Sequence, residues 1–229
     1  MLSIIFAFIG SIFGAILLVP WLVVVARRLD IVDRPDRQRK LHDSAIPMVG
    51  GVAVLLTMIL MIPLSVYGGA KCQLLFGQWI EGLVTRLPFA LDLHQLPVKL
   101  NGNFEIIGLL IGSVILVGVG VLDDRFQLRG RQKIVGQVIA VTTLIVFGYH
   151  FSEVTVVGIT FEFGLFSVFF VYAWVLAAIN SVNLLDGADG MAGTVGVVMS
   201  LALCVMAIYG GYWQTALISV SMAGALIGF

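Results

Sequence analysis

Charge is what this chain has least of. Only 11% of its 229 residues are Asp, Glu, Lys or Arg, against 60% hydrophobic residues. A soluble domain carries roughly twice that charged fraction. A mean hydropathy of +1.08 leaves more apolar surface than one core can hide, so lipid is the expected solvent. The 13 basic and 13 acidic residues cancel. Net charge therefore argues neither for nor against an anionic partner, and no nucleic acid is expected. Cysteine is scarce too. Cys72 and Cys204 have neither metal-ligand nor disulfide spacing, and Cys204 reads as small apolar filler. The first apolar stretch, Leu2 to Ala26, has no basic start and is too long for a signal-peptide core. It reads as a first transmembrane helix. Internal repeats and low-complexity tracts are lacking, and so is any soluble domain boundary.

Apolar runs long enough to span a bilayer occur at 2–26, 48–68, 104–122, 134–150, 165–182, 191–211 and 212–229, which predicts about seven spans. The expected fold class is all-α, a polytopic membrane helix bundle forming a single domain over 1–229. Basic residues fall mainly in two connecting segments. Arg27, Arg28, Arg34, Arg37, Arg39 and Lys40 lie in 27–47, and Arg125, Arg129, Arg131 and Lys133 in 123–133, which leaves only Lys71, Arg86 and Lys99 elsewhere. The positive-inside rule places both segments in the cytoplasm and the N-terminus outside. Helix parity agrees, and it adds the segment 183–190 to the same face. On the outer side, 69–103 is long and sparsely charged. Its stretch Leu74 to Leu87 reads as an amphipathic helix lying at the interface or dipping into the membrane. The β-branched segment 151–163 reads as a small external β-hairpin turning at Gly158.

Three polar clusters thus converge on one membrane face. The first runs Asp33-Arg-Pro-Asp-Arg-Gln-Arg-Lys-Leu-His42, followed by Ile46-Pro47 and Gly50-Gly51. A loop that merely orients helices needs basic residues only. Here Asp33, Asp36 and Asp43 alternate with them, and Pro35 and Pro47 stiffen the backbone as a binding loop requires. Arg39 and Lys40 suit phosphate, and His42 beside them joins as a phosphate-binding candidate. The second cluster is Asp123-Asp124, ending an apolar run. A solvated helix end beside Arg125 and Arg129 would explain it. So would Mg²⁺, a hard cation commonly shared with substrate phosphates. The third is Asn180-Ser-Val-Asn183-Leu-Leu-Asp186-Gly-Ala-Asp189-Gly. On a helix, i and i+3 share a face, so Asn180, Asn183 and Asp186 would converge, while Gly187 and Gly190 break the helix or bring backbone close to a ligand. Hydrogen bonding between helices would also use such groups. Their cost in hydrocarbon nonetheless favours a ligand.

In this order the three clusters resemble the motifs of the polyprenyl-phosphate N-acetylhexosamine-1-phosphate transferases. The matching positions are Asp33-Arg-Pro…Arg39-Lys40-x-His42…Pro47-x-x-Gly50-Gly51, then Leu122-Asp123-Asp124, then Asn180-x-x-Asn183-x-x-Asp186-Gly-x-Asp189-Gly. The first is closer to the bacterial undecaprenyl-phosphate N-acetylglucosamine-1-phosphate transferases than to the transferase that loads MurNAc-pentapeptide. The resemblance implies a Mg²⁺-dependent reaction, with Mn²⁺ as the alternative cation, in a bacterial inner membrane. A UDP-sugar donates sugar-1-phosphate to undecaprenyl phosphate and UMP leaves, as in cell-envelope polysaccharide synthesis. Under it, Asp123 and Asp124 sit beside the metal or the acceptor phosphate, one of them a base. Asn180, Asn183, Asp186 and Asp189 bind the nucleotide, and Arg39, Lys40, His42 and Lys133 hold phosphate charge.

Members of that family are longer. They place a Gly-Asp-x-Gly-Ser motif, whose Asp binds the metal, and then a His-rich cytoplasmic loop beyond the point matching Met222 to Phe229. The expectation is therefore that residues 1–229 are an N-terminal portion of such a transferase, inactive alone for want of a metal ligand. The partners implied are a UDP-sugar, undecaprenyl phosphate and the bilayer, with a homodimer left open. The main rival is a transporter or channel using intramembrane Asn and Asp. It would gather polar groups at the membrane midplane and not at one face. An intramembrane prenyltransferase would need a third Asp close behind Asp123-Asp124, and a purely structural subunit leaves the spacing from Asn180 to Gly190 unexplained.

Overall fold

A computed structural model describes residues 2–28, 32–33, 46–47, 50–84, 104–151, 153–156, 159–186 and 190–229. Seven helices stand among them: α1 (Leu2–Arg28), α2 (Gly50–Val84), α3 (Phe104–Phe126), α4 (Gly130–Val146), α5 (Ser167–Leu185), α6 (Met191–Tyr209) and α7 (Trp213–Gly228). Two short antiparallel pairs accompany them, β1 (Val32–Asp33) with β2 (Ile46–Pro47), and β3 (Glu153–Val156) with β4 (Ile159–Glu162). By length and composition, α1, α2 from Gly50 to Lys71, α3, α5 and α6 can each cross a membrane. At 1.5 Å per residue, α4 with 17 residues and α7 with 16 reach only about 25 Å. Apolar helices in this number, with large side chains such as Leu17, Phe104 and Met206 on their outer faces, make this a multi-pass membrane protein.

The helices begin and end where hydrogen bonding dictates, not where the apolar runs stop. α3 and α4 run through the expected loop 123–133 and leave only 127–129 between them. Asp123, Asp124, Arg131 and Lys133 are therefore helical. Charged residues tolerate a helix end as well as a loop there. The turn is closed by Gln127, whose N–H donates to the Asp123 carbonyl at 2.7 Å from a backbone with φ +49°. α4 is started by Gln132, whose side-chain oxygen accepts from the Arg129 N–H at 2.9 Å. This is one half of a capping box. α2 continues unbroken to Val84, so residues 74–84 extend a span helix and do not form a separate one. The remainder of 69–103 lies outside the described residues. The hairpin is where the sequence predicts it, pairing Glu153 with Glu162 and Val156 with Ile159.

Contacts group the chain into two units. The first comprises Met1–Leu22, Val52–Leu100 and Gly193–Phe229. Ile4, Ala7, Cys204, Ala207, Ala216, Leu217 and Val220 are its core. Its helices meet through small residues. A Cβ added to Gly224 would fall 2.5 Å from the Phe8 carbonyl oxygen, and one at Gly228 would strike the Ile12 carbonyl. Small residues four apart let helix backbones approach this closely in lipid.

The second unit comprises Val23–Gly51 and Asn101–Ala192. α3 and α4 pack antiparallel along a seam of the same kind, with Gly108 and Gly112 on one side and Gly136 and Ala140 on the other. A Cβ on Gly108 would meet Phe147, one on Gly112 would lie 3.3 Å from the Ala140 carbonyl oxygen, and one on Gly136 would meet the Val119 side chain. α5 lies against α4 in turn. Thr142 and Tyr172 share a 2.8 Å hydrogen bond between their hydroxyls, and the Phe151 N–H donates to Ser167 at 3.0 Å.

Candidate active site

The α3–α4 register carries the seam on to its polar end. Val119 faces Gly136. One turn further along α3, Asp123 faces Lys133, and their Oδ2 and Nζ lie 2.6 Å apart. Both side chains remain partly exposed, at 26% and 36%. Solvated pairs of this kind contribute at most about 1 kcal/mol to stability. Lys133 here holds Asp123 in place and neutralises it. Asp124 is exposed on the next position of α3. Arg125 stacks its guanidinium 5.7 Å from the Phe126 ring centroid at the helix end.

One turn into α4 from Lys133 lies Gln137, buried to 7% exposure. Its Oε1 accepts a hydrogen bond of 3.1 Å from Asn180 Nδ2, and Asn180 Nδ2 donates also to the Leu176 carbonyl at 2.8 Å. Asn180 and Asn183 are on the last turns of α5. Asp186 caps its C-terminus with its N–H bonded to the Val182 carbonyl at 3.2 Å. Asn183 and Asp186 are exposed. The predicted helix break is present, as Gly190 has φ +72° just before α6.

The C-terminal end of α3, the N-terminal end of α4 and the C-terminal end of α5 are therefore one end of the second unit. The predicted residues Asp123, Asp124, Lys133, Asn180, Asn183 and Asp186 stand on these three helix ends. α4 links the other two helix ends, through Lys133 to Asp123 on α3 and through Gln137 to Asn180 on α5. β1, which holds Asp33, lies against α3 and pairs with β2, with Val32 opposite Pro47. Arg39, Lys40, His42, Gly187 and Asp189 lie outside the described residues.

Gln137 is the site residue that the sequence reading misses. Its signal was present. It is an amide inside an apolar helix, four residues after Lys133, and so on the same face. No group of three or more His, Cys, Asp or Glu able to hold a metal occurs among the described residues. Asp123 and Asp124 are nonetheless a suitable donor set for Mg²⁺, which binds through one or two carboxylates and takes further oxygens from phosphates and water. At the far end of the same helices, burial first and the carboxylate of Glu105 second push the Tyr149 phenol above its ordinary range.

Comparison with known proteins points the same way. The family described as "Glycosyl transferase family 4" matches residues 106–229, which run from the first turn of α3 through α7. The chain is 28% identical over 221 residues to the "Decaprenyl-phosphate N-acetylglucosaminephosphotransferase" of Mycobacterium tuberculosis, covering 90% of this chain and 48% of that protein. It is 25% identical over 231 residues to the "Probable undecaprenyl-phosphate N-acetylglucosaminyl 1-phosphate transferase" of Bacillus subtilis, covering 100% and 55%. It is 26% identical over 239 residues to the "Phospho-N-acetylmuramoyl-pentapeptide-transferase" of Listeria welshimeri, covering 97% and 63%. The chain spans about half the length of the first two relatives. These names do not favour the transporter reading, and neither does the collection of polar groups at one end of the helices.

Proposed function

The chain belongs to glycosyl transferase family 4, and from that premise we propose that its polar helix ends serve transfer of a sugar-1-phosphate from a UDP-sugar to undecaprenyl phosphate. N-acetylglucosamine-1-phosphate is the group we favour, since two of the relatives are named for it. The observation that carries the reading is the joining of Asp123 to Lys133 and of Asn180 to Gln137 at one end of three apolar helices. A lipid phosphate reaches that level with its tail among the helices, while a soluble nucleotide arrives from the aqueous side. We assign this end to the cytoplasmic face of the bacterial inner membrane, with the N-terminus outside, because the basic residues concentrate there.

In the reaction, an oxygen of the lipid phosphate attacks the sugar-bearing phosphorus of the UDP-sugar. One P–O bond forms, the P–O bond to UMP breaks, and UMP carries away the electron pair. Both reactants are anions, so the protein's part is to position them and neutralise charge. Lys133 supplies positive charge beside Asp123. Asn180, Asn183, Asp186 and Asp189 hold the nucleotide, and Arg39, Lys40 and His42 take phosphate charge. Asp123 or Asp124 receives any proton still on the attacking phosphate. Asp123 and Asp124 would hold Mg²⁺ or Mn²⁺, which would supply further charge neutralisation.

The test is purified protein in mild detergent with UDP-GlcNAc, undecaprenyl phosphate and Mg²⁺. UMP should bind to these 229 residues, and Asp186→Asn or Asp189→Asn should weaken it about tenfold or more. UMP release that depends on the lipid phosphate would show that these residues suffice for turnover. No measurable UMP binding, or uptake of solute into proteoliposomes without transfer chemistry, would refute the proposal.

A further inference from the structure

The contacts of Asn180 determine which of its atoms a ligand can use. The Leu176 carbonyl oxygen carries no proton, so the Asn180 atom 2.8 Å from it is the amide nitrogen. The same nitrogen lies 3.1 Å from a Gln137 side-chain atom, which must then be that residue's acceptor oxygen. An amide nitrogen has two hydrogens. One goes to Leu176 and the other to Gln137, so Asn180 has no donor left. Its side-chain carbonyl oxygen remains, and an acceptor cannot donate a hydrogen bond to a phosphate oxygen. Gln137 is itself 7% exposed and fixed in α4, whereas Asn180 is on the exposed end of α5. The buried residue therefore anchors the exposed one.

We propose that Gln137 is a positioning residue that holds the Asn180 amide with its oxygen available, so that Asn180 reads a hydrogen-bond donor on the nucleoside, an imide N–H or a ribose hydroxyl, and not a phosphate. This rests on the nucleotide site proposed above and adds to it both a residue and a polarity. If Gln137 were replaced by an apolar side chain, one Asn180 hydrogen would lose its acceptor. The amide would then turn to satisfy it and carry the oxygen away from the ligand.

The test is UMP affinity by calorimetry on the full chain in detergent, as a double-mutant cycle. Gln137→Met should weaken UMP about tenfold when Asn180 is present and have no effect in the Asn180→Ala background, since coupled residues are non-additive. Gln137→Glu keeps an acceptor oxygen at that position and should retain more affinity than Gln137→Met. If Gln137→Met does not fold, Gln137→Asn withdraws the acceptor by one methylene and must show the same non-additivity. The donor is identified with 3-methyl-UMP, 2′-deoxy-UMP and 3′-deoxy-UMP. One of these should bind the parent and Asn180→Ala equally. An equal loss from Gln137→Met in both backgrounds, or no loss in either, overturns the positioning role while parental UMP binding keeps the site reading intact. If all three analogues lose as much affinity as UMP on Asn180→Ala, the donor assignment is wrong. A parent chain that binds no UMP overturns the site and this inference together.

Discussion

Gly136→Val separates the packing of α3 and α4 from the chemistry at their end. A Cβ at position 136 falls on the Val119 side chain. Val119 is β-branched in a helix and so has essentially one rotamer available. It cannot swing aside, and the helices must part by on the order of 1 Å. Overpacking of this kind costs about 1–3 kcal/mol, while replacing Gly by Val within a helix returns only about 0.4 kcal/mol of propensity. The clash wins, with a net loss of about 0.6–2.6 kcal/mol. At about 2–4 °C per kcal/mol for a chain of this length, Tm in mild detergent should fall by roughly 1–10 °C. The perturbation also reaches the site. Asp123 is one turn beyond Val119 and Lys133 nearly one turn before Gly136, so parting the seam lengthens their 2.6 Å contact and should reduce UMP affinity. Val119→Ala in the same chain removes the obstructing methyls and should restore most of both losses. An unchanged Tm in Gly136→Val would refute the seam, and purely additive effects of the two substitutions would refute the contact between these positions.

Three further outcomes follow from named contacts. In a full-length transferase containing these residues, Asp123→Asn and Lys133→Met should each lower transfer activity by about a hundredfold or more, as removal of a transition-state electrostatic contact does. Each should change stability by less than about 1 kcal/mol because the pair is solvated, so a large Tm drop with normal turnover would show the pair to be a structural brace. Gln127→Gly should raise stability by about 0.5–1 kcal/mol, because φ +49° costs a residue with a Cβ more than it costs glycine. A lower Tm would mean that the Gln127 side chain makes a contact worth more than that strain. Single cysteines at Asp124 and Asp186 in a Cys-free background should react with a membrane-impermeant maleimide from the cytoplasmic side only, and one at Glu153 from the opposite side only. Labelling of positions 124 and 186 from different sides would invalidate the shared surface on which the functional proposal depends.

Helix number was legible because hydrocarbon imposes it. Every run of about twenty apolar residues must satisfy its own backbone, and a helix is the open-chain way to do so. Helix ends were less legible. Hydropathy falls where Asp123 and Arg131 begin, but a helix end tolerates those residues, so α3 and α4 continued and left three residues where eleven were expected. The same applies at α5, where Asn183 is helical and Asp186 is the cap. The partial alternation of β-branched residues over 151–163 made the β3–β4 hairpin legible.

The pairing within the site was not legible, and the reason lies in the helix seams. Leu, Ile and Val at neighbouring turns are nearly interchangeable in lipid, so hydropathy cannot say which turn of α3 meets which turn of α4. Glycine and alanine can, because close approach is available only where they stand. Gly108 and Gly112 on one helix and Gly136 and Ala140 on the other admit one antiparallel register, and that register brings Asp123 to Lys133. The same helix then presents Gln137 to Asn180 one turn later. The charged residues that mark the chemistry are thus placed by uncharged ones several turns away. Gly136→Val is accordingly expected to disturb the nucleotide site without altering any residue that touches a ligand.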